Sequence, residues 1–264
     1  MNLIADAHLH LYSCYNLDWA FSYLLHKLKA ANMQAIFAGF LAERVGCNFY
    51  AQMQTGNLVL HDFRLEHADR SQLTLKRKSD GCQLTLLPGR QIVAAEGIEV
   101  LALCTDALFA EGIPAAELIK LIREQNGVPV LPWSPGKWFF QRGKVIDGLL
   151  RQFTGQDFLL GDVSLRPKGW SLPLLMRKAR RFGYKIIYGS DPLPFSGEEE
   201  KFGMYGSHII SPEEELAPDE MLGALLAGKA EAASFGRRST PLELFRRLRY
   251  NAAARRQQSA FSNT

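Results

Sequence analysis

Short apolar segments that alternate with helical stretches constrain the fold of this 264-residue chain more than any other feature. Residues 1–5 and 35–40 are typical of buried strands, and residues 17–32 between them carry apolar side chains at helical spacing. The alternation returns after residue 103 and continues toward the end of the chain. Because strand-helix-strand units build parallel sheets, this order predicts an α/β fold with a largely parallel sheet.

One β-rich segment, at about residues 50–96, interrupts the alternation. Residues 73–78 and 83–87 are typical of extended strands, and the pair Asp80-Gly81 lies between them. An Asp-Gly pair between two extended runs is a strong signal for a β-hairpin. We therefore expect an antiparallel β-hairpin insertion on the α/β body.

The composition is that of a folded protein with free thiols. No apolar run approaches the roughly 20 residues that a membrane helix needs. The N-terminus lacks the pattern of a signal peptide, and the four cysteines form no Cys-x-x-Cys pair. We therefore expect a cytoplasmic protein that does not bind a membrane. The net charge of +4 is too small to indicate a nucleic-acid partner by itself.

Two histidines, His8 and His10, follow the first apolar strand, and Asp6 lies just before them. Side chains alternate between the two faces of a strand, so both imidazoles point the same way and can reach one ion. Sites collect at such strand ends in barrels of parallel strands. The alternative is a pair of unrelated polar residues, although burying them without a partner is costly.

Four motifs in the chain resemble those of the PHP domain, a family of metal-dependent phosphoesterase-like proteins. The family's His-x-His, Gly-x-Glu, His-Pro-Gly and Gly-Ser-Asp motifs are similar to His8-Leu9-His10, Gly89-Arg90-Gln91, Ser134-Pro135-Gly136 and Gly189-Ser190-Asp191. The resemblance implies a single domain over residues 1–264, folded as a distorted parallel (β/α)7 TIM-like barrel that carries the β-hairpin insertion. It also implies a metal-dependent hydrolase of the phosphoesterase type.

Several ligands of the family are replaced in this chain. Ala38-Gly39-Phe40 stands where the family has a Thr-Asp-His after its second strand, and Gln91 stands where it has a bridging acid. Ser134 and Leu193 replace two histidines, and Cys14 replaces an aspartate. The resemblance therefore leaves His8, His10 and Asp191 as metal ligands, with Gln91 as a weak fourth. We therefore expect one divalent ion, such as Zn²⁺ or Mn²⁺, or no ion at all. Three ligands cannot build a site in which two ions hold the attacking and leaving oxygens.

Other donors stay open as alternatives. Cys14 lies four residues after His10 and is a candidate thiolate ligand, although a cysteine near a helix start more often packs against its neighbours. Glu96 and Glu99 flank a strand and are candidate carboxylate ligands. A glutamate at such a position more often faces solvent or pairs with a cation.

An aromatic loop follows the strand predicted at residues 128–131. Within and after it, Trp133, Ser134, Lys137 and Arg142 are candidate substrate-binding residues. Aromatic rings can stack on a base or a sugar, and a cation can bind a phosphate. A small or phosphorylated molecule is the substrate class that this interpretation implies. The equal alternative is a loop that fills the barrel mouth where metal ligands were lost.

The last segment, at about residues 237–264, is predicted as a basic helix and tail. Seven arginines lie in it, and Glu243 is the acidic residue that opposes them. A basic arm can bind nucleic acid or an acidic partner. We prefer the alternative of a solvated helix face, because no motif of a nucleic-acid-binding module accompanies the arginines.

Two functions are compatible with these features. The first is a PHP-like metal-dependent hydrolase, of phosphoesterase type, with a reduced metal site. The second is a catalytically inactive descendant of such a fold that serves as a binding or scaffold module. The missing ligands favour the second function, whereas the retained His-x-His and Gly-Ser-Asp motifs favour the first.

Overall fold

A computed structural model describes residues 2–31 and 36–261 of the chain. The strands are β1 (Asn2–Leu9), β2 (Ile36–Leu41), β3 (Phe63–Ala68), β4 (Leu73–Arg77), β5 (Gln83–Leu87), β6 (Gly89–Val93), β7 (Glu99–Leu103), β8 (Val128–Pro132), β9 (Leu159–Val163), β10 (Ile186–Gly189), β11 (Tyr205–Ile210) and β12 (Glu231–Gly236). The helices are α1 (Leu17–Ala30), α2 (Phe49–Gln54), α3 (Ala115–Glu124), α4 (Phe140–Gln152), α5 (Leu174–Arg181), α6 (Pro218–Leu226) and α7 (Pro241–Phe261). The parts of the predicted elements at residues 1, 32, 35 and 262–264 lie outside the described residues.

The described strands form two mixed sheets, so the prediction of a closed (β/α)7 barrel is wrong. One sheet has seven strands in the order β12-β11-β1-β2-β5-β4-β3, and the other has five in the order β10-β9-β8-β7-β6. The edge strands β10 and β6 of the smaller sheet approach β1 and β2. Those two strands already have ladder partners on both sides, β11 and β2 for β1, and β1 and β5 for β2. Their ladder positions are therefore largely occupied, and no continuous ladder closes the described sheets.

The two sheets nevertheless touch at both of these places. Beside β1, the backbone N–H of Asp191 donates to the carbonyl oxygen of His8 across 3.0 Å. Beside β2, Glu43 donates its N–H to the carbonyl of Gly89 at 3.0 Å and accepts from the N–H of Gln91 at 2.9 Å. These contacts bring the ends of β1, β6 and β10 together, which positions the site described below.

The predicted hairpin is present, but it is part of the larger sheet. Strands β4 and β5 pair antiparallel, with Leu73 opposite Leu86. Strand β5 also pairs in parallel with β2, where Ala38 lies opposite Thr85. The hairpin therefore extends the seven-stranded sheet and is not an insertion on a barrel.

Two buried clusters cover β1, one on each of its faces. Leu3, Ala5 and Ala7 of β1 belong to one buried cluster, together with Ile187 of β10 and residues of α6. Ile4, from the other face of β1, belongs to a second cluster that includes side chains of α1. A strand covered on both faces reads as a continuous apolar run rather than an alternating one. A polar residue in such a strand consequently needs partners inside the protein.

In the part of the chain that the structure describes, no helix combines the length and the apolar character needed to cross a bilayer. The four cysteines are free thiols.

Candidate metal centre

Three buried side chains converge where the end of β1 meets the end of β10. The Nε2 atoms of His8 and His10 are 3.1 Å apart, and the Oδ1 atom of Asp191 lies 3.7 Å and 3.5 Å from them. These three separations place a point about 2.0 Å from all three atoms, which matches the distance of zinc from nitrogen and carboxylate ligands. His8, His10 and Asp191 therefore form a donor set of the right size for one divalent ion.

Asp6 connects β1 to the turn that carries Asp191. Its carboxylate accepts hydrogen bonds from the backbone N–H and the hydroxyl of Ser190, at 2.8 and 2.5 Å, and from the N–H of Gly203 at 3.0 Å. Asp6 is fully buried, and these donors supply the partners that a buried carboxylate requires. The polar residue that precedes the His-x-His motif thus holds the two strand ends in register.

Asp191 has an unusual backbone conformation for a non-glycine residue. Its φ is 47°, in the left-handed region. Two contacts from separate elements hold it there: its N–H donates to the carbonyl oxygen of His8 in β1, and its own carbonyl oxygen accepts from Arg247 of α7 at 3.1 Å. Gly189 permits this close approach, because a Cβ at that position would lie 2.4 Å from the backbone nitrogen of His8. Strain of this kind is typical of functional sites.

The electrostatics of the three donors suit cation binding. Burial lowers the pKa of the His8 imidazole, so the ring is held in the neutral form that can ligate a metal. Burial also opposes ionisation of Asp191, but the adjacent His8, His10 and Arg247 outweigh it and place the pKa of its carboxyl below the usual range. The site therefore offers the neutral imidazole of His8 and the carboxylate of Asp191.

Both histidines carry a buried nitrogen without a partner. The Nδ1 atoms of His8 and His10 have no hydrogen-bond partner among the described residues, while their Nε2 atoms face each other. An imidazole pair of this kind leaves polar atoms unsatisfied inside the protein, which is costly. A cation at the common point would be bound by the two Nε2 atoms, and each ring would then carry its proton on Nδ1, so the metal reading rests on the Nε2 geometry and not on the unpaired Nδ1 atoms.

Gln91 joins His8 to a partly buried ion pair. Its amide oxygen lies 3.0 Å from Nε2 of His8, and its amide nitrogen donates to Glu99 at 3.1 Å. Lys137 in turn donates to the same carboxylate of Glu99. Gln91 is thus close to the donor set. Glu99, which the sequence analysis left open as a candidate ligand, is linked to the donor set through its hydrogen bond with Gln91 and also pairs with Lys137.

A cavity of about 150 Å³ opens beside the donor set. Ser134 and Lys137 line it, as do Arg44 and the site residues His10, Gln91 and Asp191. Two walls of this cavity come from residues that the sequence analysis did not single out, Leu248 and Asn251 of α7.

The remaining sequence candidates lie elsewhere. Trp133 is buried and lines a separate cavity of about 700 Å³, together with Trp138 and Trp170. Arg142 is exposed and lies beside Gly97. Cys14 is exposed and is not a member of the donor set, and the carboxylate of Glu96 accepts from the N–H of Ala115 at the start of α3.

The arginines of the basic C-terminal helix are not all exposed to solvent. Arg247 is buried and makes an ion pair with Glu198 at 2.7 Å, whereas Arg246 and Arg249 are exposed. The guanidinium of Arg247 also donates to the hydroxyls of Ser164 and Ser239 at 2.8 and 2.9 Å. No sequence signal distinguishes this arginine from its neighbours, because all of them lie in one basic stretch.

Comparisons with known proteins identify structures with a similar fold but do not assign the chain to a family. No family model matches this chain, and no curated protein matches it. The structure is similar to that of PsfC from Pseudomonas syringae PB-5123, with a TM-score of 0.60 and 15 % identity over 96 % of this chain and 99 % of that one.

A second solved structure is similar over most of the chain. It is the novel lesion-specific endonuclease PfuEndoQ from Pyrococcus furiosus, with a TM-score of 0.52 and 11 % identity. The match covers 89 % of this chain but 59 % of the endonuclease. At such identities the two likenesses show that the chain shares a fold with these proteins, and they show nothing about its chemistry.

Proposed function

We propose that this chain is a metal-dependent hydrolase of the PHP type that cleaves small phosphoesters with one divalent ion. The observation that carries the proposal is the convergence of His8 Nε2, His10 Nε2 and Asp191 Oδ1 at separations of 3.1, 3.5 and 3.7 Å. Three protein ligands that leave further positions open are the pattern of a catalytic rather than a structural site.

The side chains near the donor set support a single ion. Leu193, which stands where the family has a histidine, is an apolar wall of the cavity. Gln91 offers one neutral amide oxygen where a bridging carboxylate would be needed for a second ion. The described residues around the site therefore supply too few anionic donors for a two-metal clamp.

The cavity suits the phosphoryl end of a small substrate. Its volume of about 150 Å³ is well below the roughly 300 Å³ at which pockets for larger ligands begin. Arg44 places positive charge on its wall, and Lys137 adds a second cation that is paired with Glu99; guanidinium and ammonium groups can both bind phosphate oxygens. A bound ion would supply Lewis acidity, which activates water and offsets phosphoryl charge. Hydrolysis then breaks the bond between phosphorus and the ester oxygen, consumes one water and releases phosphate and an alcohol.

A metal titration with matched variants tests the proposal. Titration calorimetry with Mn²⁺ and Zn²⁺ should give one site on the wild type. The double variant His8→Ala, His10→Ala should weaken binding by more than about 100-fold, because loss of a single outer-shell partner alone costs 10- to 100-fold. The control is His26→Ala, His61→Ala, which removes two exposed histidines and should leave binding unchanged.

Activity assays then separate the two candidate functions. The metal-loaded protein is offered small phosphomonoesters and, separately, single- and double-stranded DNA. Release of phosphate from the monoesters, lost in the His8, His10 variant, supports the hydrolase. Metal binding without turnover of any of these substrates would instead support the inactive binding module.

A further inference from the structure

The cavity of about 700 Å³ lies apart from the metal donors and has aromatic walls. Trp133, Trp138, Phe139 and Trp170 line it, and it shares none of its described lining residues with the smaller cavity beside the donor set. Sites for small organic ligands typically measure roughly 300–1,000 Å³ and are lined mainly by apolar and aromatic side chains with a few polar groups. The larger cavity therefore has the size and the lining of a ligand site.

Hydrogen bonds fix two of the aromatic residues on opposite segments of the cavity wall. The indole N–H of Trp138 donates to the carbonyl oxygen of Pro132 at 3.0 Å. The backbone carbonyl oxygen of Trp170 accepts from the guanidinium groups of Arg166 and Arg238, at 2.5 and 3.0 Å. Because these walls are already held in place, a rigid ligand binds between them without a large cost of ordering the protein.

The aromatic rings of this cavity leave room for a further ring. Among the described residues, none of the four stacks on another aromatic side chain. Trp170 and Phe139 are 55 % and 48 % exposed, so a molecule from solvent can reach them. Aromatic rings attract one another in offset-stacked and edge-to-face arrangements, beyond the effect of burial alone. A planar aromatic ligand would supply the contacts that these side chains lack.

The polar groups of the cavity favour a ligand with negative charge. Arg177 of α5 is exposed and lines the cavity, whereas no Asp or Glu belongs to its described lining. A guanidinium binds carboxylate and other oxyanion groups through paired hydrogen bonds. Besides Arg177, Ser171 supplies the only hydroxyl of the described lining, so most of the hydroxyl groups of a sugar would stay unpaired.

We infer that this cavity is a second binding site, which takes a small planar aromatic ligand that carries one anionic group. The ring packs among the exposed aromatic side chains, and the anionic group faces Arg177. A saturated anion of the same skeleton loses the contacts between rings, and an aromatic cation meets Arg177 with a like charge. The inference goes beyond the proposed function and does not use the metal donors.

Three probes of similar size test this specificity. The probes are 2-naphthoate, which is a planar aromatic anion, decahydro-2-naphthoate, which is its saturated counterpart, and 2-naphthylmethylammonium, which is an aromatic cation. Titration calorimetry on the metal-free wild type should show that 2-naphthoate binds about two- to tenfold more tightly than either of the other two.

Variants of the cavity wall locate the binding. Trp170→Ala and Phe139→Ala each remove an exposed ring and should weaken binding of 2-naphthoate at least about fivefold. Arg177→Gln should weaken binding of both anions about two- to fivefold and should not weaken binding of the cation. Trp19→Ala in α1 and Arg123→Gln in α3 are the controls, because both residues are exposed and lie outside the described lining. A melting curve for each variant shows that it is folded.

Each part of the inference has its own contrary result. A wild type that does not bind 2-naphthoate, or unchanged affinity in whichever of Trp170→Ala and Phe139→Ala is folded, overturns the site. Equal or tighter binding of the saturated anion overturns the aromatic class of the ligand, and unchanged anion binding in Arg177→Gln overturns the role of that charge. Since these titrations contain no metal, their outcome is independent of whether the metal centre and the proposed hydrolysis exist.

Discussion

The guanidinium of Arg247 donates a hydrogen bond to the backbone carbonyl oxygen of Asp191 across 3.1 Å, and this contact joins the C-terminal helix to the candidate metal centre. Arg247 is buried together with Glu198, to which it donates through both Nε and Nη2. The strained backbone of Asp191 is therefore held at its N–H by β1 and at its carbonyl oxygen by α7.

Arg247→Met should destabilise the fold and weaken metal binding. Removing one partner of a buried ion pair leaves Glu198 charged and unpaired, which costs about 3–5 kcal/mol. The free energy of unfolding is measured in urea, with Arg246→Met as the exposed control on the same helix.

A double variant separates these two effects of Arg247. Arg247→Met, Glu198→Gln removes both charges, so it should recover part of the stability. It should not recover the affinity for Mn²⁺, because the hydrogen bond to Asp191 is still missing. Full recovery of metal affinity in the double variant would show that Arg247 stabilises the fold without positioning Asp191.

Gln91→Glu should strengthen metal binding. The new carboxylate replaces an amide oxygen 3.0 Å from His8 Nε2, and an anionic oxygen is the better ligand for a divalent ion. Without metal the variant should be less stable than the wild type, because the carboxylate faces Glu99, the present partner of Gln91.

Thermal unfolding with and without Mn²⁺ measures both parts of this prediction. A gain of about tenfold in affinity corresponds to about 1.4 kcal/mol of additional stabilisation by saturating metal. Gln83→Glu, the same chemical change at an exposed position of β5, is the control and should alter neither quantity. Metal binding that weakens in Gln91→Glu would place this side chain outside the coordination sphere.

Gly189→Ala should separate β10 from β1. A Cβ at this position would lie 2.4 Å from the nitrogen of His8, and the obstructing atoms are backbone that cannot rotate away. We expect a loss of about 1–3 kcal/mol in the free energy of unfolding, together with weaker metal binding.

The control for Gly189→Ala is a glycine with free space around it. Gly148 lies inside α4, and an added Cβ there meets nothing within 4 Å. Gly148→Ala should therefore stabilise the protein by up to about 1 kcal/mol, because alanine favours the helix. Chemical unfolding of both variants checks the pair, and a harmless Gly189→Ala would contradict the close approach of the two strands.

The start of α7 should lose stability in acid. Glu243 accepts from the N–H of Thr240 at 2.8 Å and the Thr240 hydroxyl accepts from the N–H of Glu243 at 3.2 Å, which is a capping box. The ion pair with Arg237, aided by the Thr240 N–H, lowers the pKa of Glu243 to about 2 from 4.5, against the opposing effect of burial. Because the pKa in the folded protein is depressed, this stabilisation is present above about pH 4.5 and is lost as the pH falls toward 2.

A glutamine variant isolates this effect of pH. The amide in Glu243→Gln does not gain a proton in this range, whereas the Glu243 carboxylate does, so the difference in stability between wild type and variant should shrink as the pH is lowered from 5 to 2. Urea unfolding at several pH values measures it. A difference that is constant across this range would mean that the carboxylate of Glu243 is not the group responsible.

The sequence by itself determined which side chains share a face of each element. Alternation along β1 placed His8 and His10 on one side of a strand, and the Asp-Gly pair at residues 80–81 predicted the β4–β5 hairpin that the structure confirms. These features depend on local geometry, with periods of two or of 3.6 residues, and a sequence displays such periods directly.

Only the tertiary structure decided which elements pair and which polar residues are buried. The two sheets do not close into a barrel, because β1 and β2 use their ladder positions to pair with β11 and β5. No local sequence pattern encodes this pairing. Arg247 and Asn251 look like surface residues of a basic helix, yet the docking of α7 buries both beside Asp191. Burial at long range is set by the packing of distant segments against one another, so a helix of similar arginines gives no sign of which one turns inward.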